Sequence, residues 1–359
     1  MESLREKIGQ MIIVGCGGER LSRDERLIFA EYGFGGFILF RHNCGEPRQI
    51  LSLCRSLWDE APSLPPFLAI DEEGGKVHRL PPPFTHFPAA AAIGACNDPH
   101  LAHRAGRAVA AELALVGINL NFAPVLDVHS NPANPIIGAR AFGADPVLVS
   151  AMSSAWMRGL RDGGVIPCGK HFPGHGDTDE DSHLALPVVT KSLARLQAVE
   201  LPPFVEACRD GIEALMTAHV KFTALDPNHV VTLSEPIITG LLRHQLGYGG
   251  VVFSDDMEMK AVSDHYGPGE AAALAARAGV DAMLFCHDLE KAVQALEFLY
   301  AEAEKDPALR ARVETSYRRI GALKQRWLKE FSGAADNAIE DRLTRLNHRS
   351  IVEAIHGSL

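Results

Sequence analysis

Eight short apolar, β-branched runs, each closed by Gly, Pro, Asp or His, recur along this chain with helix-like stretches between them. They read MIIVG from Met11, GFILF from Gly36, FLAID from Phe67, NLNFAPVLD from Asn119, VIPCGKHF from Val165, ALMTAHV from Ala214, GVVFSDD from Gly250 and AMLFC from Ala282. Amphipathic segments such as AHRAGRAVAAELALVG after Leu101 and LVSAMSSAWMRGLRDGG after Val147 carry Gly at or near their ends, where a helix C-cap needs it. Strand then helix, repeated, predicts parallel βα units. Eight of them predict an α/β fold of the (β/α)8 TIM-barrel type, with a doubly wound open sheet as the competing architecture. A length of 359 residues suits one such barrel. We assign residues 1–330 to a single catalytic barrel and 331–359 to a C-terminal helical extension.

In a barrel of this kind, chemistry sits at the C-terminal tips of the strands. The tips here are crowded with polar residues: Asp71, Asp127 and His129, Lys170 and His171, His219 and Lys221, Asp255 and Asp256, His287 and Asp288. A formal net charge of -10 disfavours nucleic acid and anionic membrane as partners, and a neutral or small substrate fits better. No stretch approaches the length of a membrane span. The N-terminal run has charged residues where a signal peptide would be apolar. The seven cysteines are scattered, never spaced as CxxC, and read as reduced core residues, so a cytoplasmic location is expected.

Three stretches carry candidate chemistry. KHFPGHGDTDEDSHLALP, Lys170 to Pro187, packs three His and four acids behind strand five. Asp181 and His183 stand one residue apart, so a turn can set a carboxylate against one imidazole nitrogen and leave the other for general acid/base work. Alternatively His171, His175, Asp181 and His183 are metal ligands, although Pro173 and Gly174 spoil a helical His pair and no HExxH is present. A third alternative is a polar loop whose histidines serve only the backbone. GYGGVVFSDDMEMKA ends a buried strand in Asp255, placed to attack an anomeric carbon, and Asp256, placed to cap the following helix. AIDEEGGKVHRL offers Asp71 and Arg79 as acceptor and donor for sugar hydroxyls. Arg140, in IIGARAFG, is a charge among small and apolar neighbours.

Taken in order, DEEGG, RAFG, KHFPGHG with DSH, MTAH and SDD resemble the signature of the bacterial β-N-acetylhexosaminidases of glycoside hydrolase family 3, which act in cell-wall recycling. The resemblance covers nearly the whole chain. It implies Asp255 as nucleophile, His183 as general acid/base and Asp181 as the residue that orients it, with Asp71, Arg79, Arg140, Lys170 and His171 holding N-acetylglucosamine. No metal or organic cofactor enters that scheme. It implies retention of configuration and N-acetylglucosaminides or muropeptides as substrates. A phosphorylase of the same family, with phosphate in place of water, is the alternative; a metal-dependent hydrolase and a non-catalytic sugar-binding protein are more distant ones. The chain departs from the family pattern at Glu72, Lys76, His78 and Ala141, where Gln, Arg, Gln and Ser are usual.

Overall fold

A computed structural model of the chain describes residues 2–61, 64–179, 186–335 and 339–358. All eight expected strands are present: β1 (Ile12–Gly15), β2 (Gly36–Leu39), β3 (Phe67–Ile70), β4 (Leu120–Asn121), β5 (Ile166–Phe172), β6 (Ala214–Thr217), β7 (Val251–Asp256) and β8 (Ala282–Phe285). They pair in parallel in sequence order, and β1 also pairs with β8, which closes the barrel. The open-sheet alternative is thereby excluded. Strands buried on both faces need apolar residues throughout, which is why these segments read as continuous runs with no polar alternation.

Strand four differs from expectation. Of NLNFAPVLD, Leu120–Asn121 is regular strand, and the rest rejoins strand β5 at an isolated bridge between Val125 and Lys170. Pro124 has no N–H to give to a ladder. The carbonyls of Ala123 and Pro124 nevertheless accept from Cys168 and Lys170, at 3.0 and 3.1 Å. The kinked chain thus stays bonded to β5 and delivers Asp127 to the mouth of the barrel.

Inside the barrel, the Phe253 ring meets Phe67 and Phe122 edge-on, with centroids 5.7 and 5.6 Å apart. The opposite end is closed by the helix Pro307–Trp327, from which Lys324 reaches in and donates to Gln10 Oε1 at 2.6 Å and the Gly35 carbonyl at 2.7 Å. Burial pushes this amine well below its ordinary pKa. Helix Pro307–Trp327 thus caps the bottom of the barrel. Beyond it, helices Ile339–Leu346 and Arg349–Gly357 lie along the outer helical ring. Glu340 pairs with Arg48 at 2.7 Å, and His348 with Glu112 at 2.9 Å. Among the described residues, no helix is long and apolar enough to cross a membrane.

Candidate active site

At the C-terminal mouth of the strands lies a cavity of about 250 Å³, bordered by Asp71, Glu73 and Arg79 after β3, Lys170 and His171 at the end of β5, and Asp255 at the end of β7. Side chains alternate along an extended chain. Asp71 and Glu73 accordingly face the cavity, and Glu72 turns away, taking His78 Nδ1 at 2.5 Å and the Arg79 amide at 3.0 Å. Of the three acids after β3, the middle one thus holds the turn that presents Arg79.

Lys170 Nζ sits 2.6 Å from both Asp71 Oδ1 and Glu73 Oε1, and Arg140 grips Glu73 through Nε and Nη2, each at 2.9 Å. Arg79 approaches the other Asp71 oxygen at 3.7 Å. Two carboxylates are interleaved with three cations. Burial alone would raise the Glu73 pKa, but Arg140 and Lys170 outweigh it and hold the carboxyl well below its ordinary range. Burial would likewise discharge Lys170, yet Asp71 and Glu73 keep the ammonium charged. The result is a rigid wall of fixed donors and acceptors, suited to a substrate presenting several hydroxyls.

A second cluster stands beside it. Asp127, fully buried, takes His171 Nδ1 on Oδ2 at 2.6 Å, and the amides of His171 and His175 on Oδ1 at 3.2 and 2.7 Å. These partners overcome the effect of burial and lower its pKa. With Nδ1 engaged, His171 turns Nε2 toward Arg140, 3.4 Å away. His175 is pushed down to about 4 by burial and by the neighbouring His171, so its imidazole is neutral at pH 7. Its Nδ1 lies 2.9 Å from Thr178 Oγ1. Gly176 lets this loop press on the end of strand four: a Cβ there would stand 1.6 Å from the Val128 carbonyl oxygen. Among the described residues, no three His, Cys, Asp or Glu side chains are grouped as a metal site.

Asp255 closes the opposite side. Its Oδ1 accepts the amide of Asp256 at 2.8 Å. Burial opposes its ionisation, but His171, His219, that amide and Lys170 prevail, and its pKa lies below the ordinary value. Asp256 has the reverse character, pushed up to about 7 by burial and by Glu258 and Asp255. The sequence assigns it to a helix cap, and the structure corrects this: helix Lys260–Ser263 has Met259 at its N-cap. Asp256 Oδ1 instead ties the turn to β8, accepting from Glu258 at 3.1 Å and Cys286 at 3.3 Å.

That inversion predicts a pH-dependent stability. A carboxyl whose folded-state pKa is raised holds its proton more tightly in the folded chain, so stability falls as pH climbs from about 4 to about 7. Asp256→Asn keeps an acceptor for both amides and carries no charge. Urea unfolding should find the variant roughly 2–4 kcal/mol more stable than wild type at pH 8, taking about 1.4 kcal/mol per pH unit, with the gain gone by pH 4. A variant less stable at pH 8 would contradict this account of Asp256.

Of the residues singled out in the sequence, the structure brings Asp71, Arg79, Arg140, Lys170, His171 and Asp255 to one cavity. Asp181 and His183 lie outside the described residues. Glu73 and Asp127, which bind the two halves of the wall together, had no assigned role. Their signals were an acid two residues beyond Asp71 and an acid at a strand tip.

Residues 3–323 match the glycosyl hydrolase family 3 N-terminal domain. The β-hexosaminidase of Alkalilimnicola ehrlichii is 38% identical over 295 residues, 80% of this chain and 84% of that one. That of Thioalkalivibrio sulfidiphilus is 36% identical over 343 residues, 92% and 96% of the two chains. Among solved structures, a glycoside hydrolase family 3 β-N-acetylglucosaminidase from Paenibacillus sp. superposes with a TM-score of 0.88 at 40% identity, covering 98% of this chain and 69% of that one. NagZ from Neisseria gonorrhoeae, solved with N-trifluoroacetyl-D-glucosamine, gives a TM-score of 0.78 at 30% identity and covers 97% of each.

Proposed function

Because this chain belongs to glycosyl hydrolase family 3 and is a glycosidase of the β-hexosaminidase type, we propose that it releases terminal β-linked N-acetylglucosamine by a retaining, two-step mechanism. The observation that carries the reading is Asp255, ionised at the tip of β7 and facing a wall of fixed donors and acceptors across one small cavity.

In the first step the Asp255 carboxylate attacks the anomeric carbon while protonated His183, oriented by Asp181, gives its proton to the leaving oxygen. A glycosyl ester on Asp255 results. In the second step His183 takes a proton from water, which attacks the same carbon and releases the sugar with its configuration retained. The lowered basicity of Asp255 favours its departure in that step. Asp71 accepts from sugar hydroxyls, and Lys170, Arg79, Arg140 and His171 supply donors around the ring. A histidine in place of a second carboxylate spares the site the repulsion of two ionised acids. We extend the reading to peptidoglycan-derived muropeptides as substrates in the cytoplasm, where seven free cysteines are at home.

The test is product analysis on an aryl β-N-acetylglucosaminide, with proton NMR following the first anomer formed. The expected product is the β anomer of N-acetylglucosamine, with or without phosphate and chelator, and turnover should fall at least about a hundredfold in His183→Ala. An α anomer formed first refutes retention. A sugar phosphate appearing when phosphate is added would make the second step phosphorolysis.

A further inference from the structure

We propose that the helix Arg349–Gly357, which lies outside the barrel, positions the substrate-facing Arg79 through His348, Glu112 and the loop of residues 84–88. The inference rests on the sugar-binding role given to Arg79 above, and it makes His348 a positioning residue that touches no substrate.

Arg79 depends on support of this kind. It borders the catalytic cavity, but its one ion pair among the described residues, with Asp71, is loose at 3.7 Å, and its buried Nε has no hydrogen-bond partner among them. Its place is therefore set by the backbone turn that carries it. That turn is clasped by the loop. His86 stacks flat on His78, with centroids 4.3 Å apart and planes at 5°, and its Nε2 lies 2.8 Å from the Gly75 carbonyl oxygen. The Gly75 amide in turn donates to the Phe87 carbonyl at 2.9 Å. Gly75 has φ +57°, and a Cβ there would stand 2.6 Å from that of Ala89. Turn and loop are packed too closely to shift independently. His78 passes the contact on to Glu72, which holds the Arg79 amide.

On its other side the same loop is held from the outer helices. Glu112, buried on the helix Pro99–Leu115, accepts the Thr85 amide at 2.8 Å and the Thr85 hydroxyl at 2.5 Å. His348 Nδ1 donates to the same carboxylate at 2.9 Å, and its ring faces that of Phe87 at 6.1 Å. The helix that follows His348 is itself anchored: Ile355 is fully buried, and its carbonyl accepts from Cys96 Sγ at 3.6 Å. A carboxylate with two donors on the loop and a third behind it is fixed in direction. Without His348, Glu112 gains freedom to swing, and Thr85, His86 and the turn gain it too.

The experiment measures hydrolysis of an aryl β-N-acetylglucosaminide by the full chain carrying His348→Ala, Arg79→Ala or both. His348→Ala should raise KM about threefold to tenfold and leave kcat within about twofold, as loss of uniform substrate binding does. Contact alone does not establish coupling, and the double variant measures it: with Arg79 gone, His348→Ala should have no further effect on KM. His348→Asn, which keeps a donor near the Nδ1 position, should restore KM. Thr85→Val removes the hydroxyl on the other side of Glu112 and should repeat the signature; it decides the matter where His348→Ala fails to fold. A fall in kcat with KM unchanged, or KM effects that multiply in the double variant, overturns the inference and leaves the hydrolase reading intact. A wild-type protein that turns over no aryl glycoside overturns that reading, and the inference falls with it.

Discussion

Asp255→Ala will lower turnover of an aryl β-N-acetylglucosaminide by about 10⁴-fold or more, the scale on which removal of a covalent nucleophile acts. The protein should remain folded, because among the described residues the carboxylate accepts one hydrogen bond, from the Asp256 amide, and tethers no other element. Asp255→Asn should collapse equally, since it keeps the shape and loses the charge. Azide then separates the two variants. In Asp255→Ala the vacated volume admits the anion to the face of the sugar the carboxylate attacked, and the product is the α-glycosyl azide. Asn fills that volume and should give no such product. The pH profile carries a further sign. With its pKa held below the ordinary value by His171, His219 and Lys170 against the effect of burial, Asp255 stays ionised through the neutral range. Any loss of wild-type activity between about pH 5 and 7 must then come from another group. Activity of Asp255→Ala within tenfold of wild type would remove it as nucleophile.

The barrel was legible because its strands are buried on both faces and its helices are amphipathic, two patterns that local sequence writes directly. Strand four was readable as apolar but not in its extent. Whether the chain around Pro124 stays in register depends on which carbonyls face β5, and that is settled by the neighbouring strand. The site was legible where charge falls on a strand tip, as at Asp71, Lys170, His171 and Asp255. Glu73 was visible only as one acid of a triplet, and its role comes from Lys170 and Arg140, 97 and 67 residues further along the chain. Asp127 is similar. Its carboxylate is enclosed by His171 and the His175 amide, 44 and 48 residues away, contacts that exist only once β4 and β5 are side by side. Asp256 was read as a helix cap because a helix begins nearby, yet the amides that claim it belong to the turn and to the end of β8.

Glu73→Ala is expected to destabilise the protein by about 3–5 kcal/mol at pH 7, because it strands cations in a region almost closed to water. The Glu73 side chain is 4% exposed and that of Lys170 3%, and Arg140 commits both Nε and Nη2 to Glu73. Asp71 would remain to hold Lys170, while Arg140 would lose its sole carboxylate ion-pair partner among the described residues. The sign with pH follows from the depressed pKa. Glu73 contributes its full stabilisation above the ordinary carboxylate value near about 4 and loses it progressively as pH falls toward the much lower folded-state value. Urea unfolding of wild type and Glu73→Ala at pH 7 and pH 3 should therefore show a gap that narrows on acidification. The same substitution frees Arg140 and one side of Lys170 to move, so the substrate KM should rise in the variant even where it is fully folded. A gap below about 1 kcal/mol at pH 7, or one that does not shrink at pH 3, would mean that the wall of the cavity is held by packing and that Glu73 is a bystander in it.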